Sequence, residues 1–455
     1  MGEKLKIVSK GMAEGFAPSF EVELEPLKNI LAEVITTTKK EDDVLMAAIK
    51  AYMGAGEDKD SVVESETMFL DGYKTPHYLY KMYQYIKEHY TLDKTMDYSW
   101  RRETEVPPSK HNFEVRKGEK MALIFKGALF ITSKENNDEK YVMWMTPYDD
   151  NLGLEIEVFH CGRDRFQRAK KDFIEYFDND HPLKNQMVDS KWKFLDIKEV
   201  GWKDLIVSDE QKKIITRNIT NYIKNIETYR ENRLPTSRGI LITGPPGTGK
   251  TLCCEVIVNS LDCSAIYVST DSVSEVGDIK RVYELARKIS PCLVIVEDID
   301  TLGGLDRTVR GGEHPLLGEF LNCLAGMGKN DGVITIATTN YAQHLDAALA
   351  DRPGRFDVRL DFGLPSDELR KHILTKYLKD LGANVKVNGA VSKTKGLSGA
   401  YLKEIVMTAY MISMETEKEL DKNILNEAIN DVLRLKRIVN PNYDGGGVSE
   451  KNLYG

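Results

Sequence analysis

The sequence predicts an α/β chain: a parallel sheet covered by helices, followed by an all-helical segment and preceded by a separate α+β domain. Three observations carry this expectation. Four apolar runs, GILIT, AIYVS, CLVIVE and VITIATT, alternate with helical stretches between residues 239 and 339, the pattern of parallel strands buried on both faces. Residues 366–437 read as helix throughout. Upstream, KMALIFKGALFITS, the turn KENNDEK, YVMWMTP, the turn YDDNLG and LEIEVFH follow one another as an antiparallel meander.

Taken in order, residues 1–65 read as mostly helical, because LKNILAEVITTT and DDVLMAAIKAYM carry apolar residues at three- and four-residue spacing before Gly54 and Gly56. Residues 66–200 form the α+β domain. Within it YLYKMYQYIKEHY sets Tyr78, Tyr80, Tyr83, Tyr85 and Tyr90 on an amphipathic helix, read first as half-buried packing and second as a recognition surface. The helix RDRFQRAKKDFIEYF lines up Phe166, Ala169, Phe173, Ile174 and Phe177 for packing on the sheet. A strand-like WKFLDIKEV precedes a new domain that begins near residue 200, and Ser208 caps the helix running through QKKIITRNITNYIKNIETYREN. The large α/β unit then spans 201–365, the helical segment 366–437, and a Gly-rich polar tail 438–455.

Composition narrows the function. A length of 455 residues and 41% hydrophobic content allow about three domains of roughly 150 residues, each with a core. The 63 Lys plus Arg against 71 Asp plus Glu leave a net charge of −8, which argues against nucleic acid as a partner. The six cysteines are dispersed without a CxxC pair, so no zinc cluster or disulfide framework is expected. His77, His89, His111, His160, His181 and His314 show no ligand spacing either. The longest apolar run, 121–132, contains Lys126 and falls short of the roughly 18–20 residues of a membrane helix. MGEKLKIVSK has no apolar signal core, and a cytoplasmic location is the expectation.

The chemistry concentrates at strand ends. GILITGPPGTGKT joins a buried strand, a Gly-rich turn and a helix start, the context in which a phosphate loop binds a nucleoside triphosphate. Gly244, Pro245, Pro246, Gly247, Thr248 and Gly249 form the loop, Lys250 reaches the β- and γ-oxygens, the Thr251 hydroxyl takes a place on Mg²⁺, and Leu252 continues the helix. About 40 residues on, CLVIV ends in Glu297-Asp298-Ile299-Asp300. The first acid is expected to organise Mg²⁺, the next to orient the attacking water. VITIATTN brings Asn340 to the same edge, where its amide can hold that water or sense the γ-phosphate. Arg352 and Arg355 in DRPGRFD suit a neighbour's γ-phosphate, an arrangement that needs a ring.

The set GPPGTGKT, LVIVEDID, IATTN, LADRPGRFD and GLSGAYLKEI closely resembles the AAA+ ATPases, within them the classical AAA clade, over roughly residues 200–437. The resemblance implies that Lys250 and Thr251 fall on Walker A, Asn340 on sensor 1, and Arg352 and Arg355 on the two arginine fingers. It implies as well that Gly399 and Ala400 open a lid helix near the nucleotide, and that ATP is hydrolysed in a ring, usually a hexamer. The family usually ends Walker B with Asp then Glu; here Glu297 precedes Asp298, as in the branch of the mitochondrial Rieske-protein translocase, whose linker also looks similar but whose membrane helix is missing. Where threading unfoldases present an aromatic, an aliphatic and a glycine to the pore, this chain reads Glu275-Val276-Gly277. The second pore segment, GGLDRTVRGGEHP, reads equally as pore or surface loop. The expected function is remodelling or translocation of a protein client. The alternatives are a nucleotide-gated scaffold with slow hydrolysis and a nucleic-acid loader.

Overall fold

The computed structural model describes residues 4–7, 20–23, 44–54, 63–99, 104–269, 272–273, 275, 277–301, 315–325, 330–340 and 356–439. The chain divides into two compact units, Met1–Pro182 and Leu183–Gly455.

In the first unit β1 (Lys4–Ile7) and β2 (Phe20–Glu23) pair as an antiparallel ribbon. This corrects the helical reading of residues 1–65: KLKI and FEVE alternate apolar and charged residues over four positions each, the period of a strand. DDVLMAAIKAYM does contribute a helix, α1, over 44–53, whereas LKNILAEVITTT lies outside the described residues. There follow β3 (Glu64–Leu70), α2 (Thr75–His89), β4 (Tyr90–Ser99), β5 (Thr104–Val106), β6 (Ser109–Arg116), β7 (Glu119–Ser133), β8 (Lys140–Pro147), β9 (Leu154–His160) and α3 (Arg163–Asn179). Seven strands make one antiparallel sheet in the order β3-β9-β8-β7-β4-β5, with β6 on the first half of β7.

Two helices cover one face of this sheet. Leu79, Met82 and Ile86 of α2 and Phe166 of α3 share a buried cluster with Leu129, Ile131, Met145 and Ile156. Leu45 and Ile49 of α1 pack on the other face against Met96, Phe130, Val142 and Phe159. The tyrosines join the core to different depths: Tyr80 of α2 is buried, Tyr78, Tyr83 and Tyr85 of α2 pack partly buried against it, and Tyr90, expected on the same helix, is the buried first residue of β4. Ile174 departs from its expected burial and is 43% exposed. Phe166, Ala169, Phe173 and Phe177 fill the inward stripe, and the residue after Phe173 turns about 100° away from it.

The second unit is built on six parallel strands in the order β10-β12-β13-β14-β11-β15. They are β10 (Met187–Asp189), β11 (Arg238–Thr243), β12 (Ser264–Val268), β13 (Cys292–Val296), β14 (Val333–Thr339) and β15 (Val358–Asp361). Every residue of β13 and β14 is buried, which is why these runs read as continuously apolar. The boundary lies earlier than the expected residue 200, because Met187–Asp189 pairs with Ala265–Tyr267. WKFLDIKEV is correspondingly not a strand: the Asp189 carboxylate accepts from the Lys191 and Lys193 amides and turns the chain, leaving a single bridge from Phe194 to Val188.

Ser208 caps α4 (Asp209–Ile215) in a reciprocal pair with Gln211. The long helix expected after it is broken into a π turn, Thr216–Thr220, then α5 (Asn221–Lys224) and α6 (Ile226–Glu231). α7 (Lys250–Asn259), α8 (Asp278–Lys288) and α9 (Pro315–Leu324) accompany the sheet. Beyond it α10 (Asp367–Asp380), α11 (Asn388–Lys393), α12 (Gly399–Glu415) and α13 (Lys422–Val439) close on their own cluster, including Leu374, Leu402, Ile405 and Leu425. Cys253, Cys254, Cys263 and Cys292 are buried free thiols, and Cys161 and Cys323 half-buried ones. Among the described residues no helix is long and apolar enough to cross a membrane, and no His, Cys, Asp and Glu cluster has metal-site geometry.

Candidate active site

The strand order sets the carboxyl ends of β11, β14 and β13 side by side, the position at which open parallel sheets bind ligands. The loop after β11 runs tight against its surroundings. A Cβ on Gly244 (φ 147°) would lie 2.1 Å from the Phe362 carbonyl oxygen, and one on Gly247 (φ 75°) would lie 2.8 Å from the Ala400 Cβ. Both positions therefore require glycine. The Ala400 amide donates to the Gly247 carbonyl at 3.0 Å, so the start of α12 touches the loop directly. Pro245, Pro246, Thr248 and Gly249 complete the loop, which Thr248 braces through a bond to the Pro245 carbonyl at 2.8 Å.

Lys250 is 7% exposed, and its Nζ donates to the carbonyls of Gly244 (2.8 Å) and Pro245 (3.0 Å) and to Asn340 Oδ1 (2.7 Å). Burial lowers its pKa against the opposing pull of Asp298 and Asp300. The Asn340 amide nitrogen donates onward to Asp298 Oδ1 at 2.8 Å. A continuous hydrogen-bonded chain thus links the lysine, the strand-end amide and the second acid, three residues that the sequence separates by up to 90 positions.

Asp298 sits at φ 48° with its amide donating to Thr338 Oγ1 at 3.0 Å. Its carboxyl is pushed above the usual range by burial and then by the neighbouring Asp300. Glu297 is also raised, mainly by burial, with the nearby Thr251 hydroxyl opposing the rise, and its Oε1 is buried without a hydrogen-bond partner. A buried carboxylate oxygen with no donor beside a hydroxyl is the donor set of a hard divalent cation. Glu297 and Thr251 fit the role of holding Mg²⁺, which would supply charge neutralisation for phosphate oxygens.

Lys250, Thr251, Asp298 and Asn340 line a cavity of about 410 Å³, within the roughly 300–1,000 Å³ of small-molecule sites. Its walls include Pro246–Leu252, Asp298, Asn340, Gly399 and Ala400, all expected from the sequence. Leu205, Ile206, Ile373 and Tyr377 add an apolar end that sequence reasoning missed. A flat base would lie against such walls. Nothing local marks them, since they come from the segment before α4 and from α10 and meet only in space. Also missed is a stitch between two strand ends. Asp300 Oδ1 accepts from Thr339 Oγ1 (2.7 Å) and from the Asn340 amide (3.3 Å), and the Ile299 amide donates to the Thr338 carbonyl at 2.9 Å.

Arg352, Arg355 and Val276 lie outside the described residues, as do residues 303–314 of the second pore segment. Glu275 is exposed, and both oxygens of Glu319 on α9 accept from the Gly277 amide at 2.9 Å, fixing the base of that loop.

Residues 240–364 match the family described as ATPase family associated with various cellular activities (AAA). The chain carries an AAA ATPase domain. An ATP-dependent zinc metalloprotease YME1 homolog of Schistosoma mansoni is 32% identical over 247 residues, 50% of this chain and 37% of that protein. A putative 26S proteasome regulatory subunit homolog of Methanocaldococcus jannaschii is 32% identical over 245 residues, 51% of this chain and 64% of that protein. The FtsH metalloprotease of Bacillus subtilis is 30% identical over 249 residues, 52% and 39% of the two chains. The similarity thus covers about half of this chain and between about a third and two thirds of these relatives. The AAA domain occupies the second unit, and its match begins within β11 and ends just beyond β15.

Proposed function

We propose that the chain is a ring-forming ATPase that couples ATP hydrolysis, with Mg²⁺, to remodelling or translocation of a protein client. The observation that carries the hydrolytic part is the chain Lys250–Asn340–Asp298 at the carboxyl ends of β11, β14 and β13. In it Lys250 supplies positive charge to the β- and γ-phosphates once nucleotide displaces its loop carbonyls. Asn340 aims the carboxylate and the water, and Asp298 accepts the water's proton. Thr251 and Glu297 hold the cation. Arg352 and Arg355 act on the neighbouring subunit's γ-phosphate. No His-Glu-x-x-His pair occurs in these 455 residues, so the zinc protease named in two relatives is not carried over.

The protein-client part is supported by the kinship with FtsH, YME1 and proteasome-subunit homologs and by a separate first unit. The order Glu297-Asp298 and the acidic Glu275 favour a second reading, a nucleotide-gated scaffold with slow turnover. One experiment separates them: phosphate release and ATP binding by the full chain and by Asp298→Asn. A fall of about 10²-fold or more in turnover, with ATP affinity kept within about threefold, is expected. Equal turnover in both proteins removes Asp298 from its role, and a wild type that binds ATP without turning it over supports the scaffold.

A further inference from the structure

In the first unit an edge and a cavity coincide. β3 ends the sheet order, and among the described residues it pairs only with β9. Its free side is a template for another strand. Beneath α2 and α3, next to that edge, lies a cavity of about 130 Å³ whose lining is almost wholly apolar. Its lining includes the buried Met82, Ile86, Ile131 and Val158, the partly exposed Ile174, and Glu66 and Met68 of β3, with Lys170 bonded to Glu66 at 2.6 Å. A dry cavity near 150 Å³ accepts a benzene-sized group, so this one takes a single leucine or phenylalanine side chain. β3 itself supplies part of the cavity's wall.

The other side of the strand is acidic. Glu157 and Glu155 of β9 stand in register with Thr67 and Phe69, and Ser65 donates to Glu157 at 2.6 Å. Phe69 is 65% exposed on that face. Side chains of an added strand alternate between faces. A residue entering the cavity is then flanked by residues that lie beside Thr67 and Phe69, with Glu157 and Glu155 one strand further on, within reach of a long basic side chain.

We propose that the β3 edge binds an extended client segment by strand addition, with one bulky apolar side chain in the cavity and basic residues on either side. Main-chain bonds to β3 give the affinity and the cavity gives the selectivity. The client role rests on the remodelling function proposed above; the binding does not. The probe is the peptide acetyl-TKLKT-amide titrated into the full chain, followed by fluorescence anisotropy of a labelled copy. Saturable binding is expected, weakened about tenfold or more when the peptide leucine becomes alanine and lost when alternate peptide amides are N-methylated. Ile174→Lys, an exposed position, is expected to weaken binding at least tenfold while leaving basal ATP turnover within twofold. Absent binding, equal affinity for the alanine peptide, survival of binding after N-methylation, or full affinity in Ile174→Lys each overturn the site. Binding that does not alter ATP turnover supports the site and counts against remodelling.

Discussion

Asp300 has no role in the usual reading of an acidic strand end, yet its position decides where two other residues point. Its Oδ1 takes hydrogen bonds from Thr339 and from the Asn340 amide, while Asn340 is itself shared between Lys250 and Asp298. Removing the acceptor takes one hydrogen bond each from the Thr339 hydroxyl and the Asn340 amide that position this strand end, and a misplacement of about 1 Å at a reacting group can cost roughly 10²-fold. Asp300→Ala is therefore expected to lower kcat at least about tenfold while ATP affinity changes little, and Asp300→Asn, which retains an acceptor oxygen, to recover most of the loss. Steady-state phosphate release with a parallel nucleotide titration checks this. A variant that loses ATP binding together with kcat would assign Asp300 to the fold rather than to aiming. The order Glu297-Asp298 has a physical reason at the same scale. Asp298 lies at φ 48°, a region that aspartate visits more readily than longer side chains.

Among the elements, the layer of α2 and α3 on the first sheet stores a pH dependence. His160, at the end of β9, is 1% exposed, stacks on Phe166 with ring centres 4.4 Å apart, and has a buried Nδ1 without a hydrogen-bond partner. Burial lowers its pKa, with Glu64 and Glu66 pulling the other way. An unfolded histidine titrates near 6.5, so below that pH the unfolded chain binds the proton and the folded one resists it. Stability is full above about pH 6.5, falls as pH drops below it, and levels off below the folded pKa. His160→Gln is expected to flatten this acid-side loss. Thermal unfolding from pH 7.5 to 5 in both proteins measures it, and parallel curves would refute the assignment.

The elements also mark how far the sequence was legible. The phosphate loop was readable because its motif is contiguous, and β13 and β14 because every residue in them is buried, so an apolar run reports them. The β7-β8-β9 meander was readable from its turns. β1 and β2, at four residues each, are too short for a period to register. At the interruption, Thr216–Thr220, Ile219 and the following Tyr222 lie in the buried core, a tertiary arrangement that no propensity encodes. Tyr377 and Leu205 join the nucleotide cavity only because the lid folds back, a fact of tertiary structure.

At the scale of the whole molecule the question is whether one chain can complete its own site. Each chain supplies Lys250, Asn340 and Asp298 to one cavity, whereas the proposed transition-state arginines, Arg352 and Arg355, come from a neighbour. Asp298→Asn and Arg352→Ala should each be nearly inactive alone, for different reasons. Mixed in equal amounts under assembling conditions, they produce interfaces in which an Arg352→Ala subunit, with its intact acid, meets the intact arginine of an Asp298→Asn subunit. Random mixing makes about a quarter of interfaces competent in this way, and turnover should recover toward about a quarter of wild type. The recovery should vanish on dilution below the assembly concentration, which light scattering with ATP analogue and with ADP would locate. An arginine acting within its own chain predicts no recovery at any ratio. Mixtures that stay inactive while co-assembling would thus refute the trans role and, with it, the need for a ring.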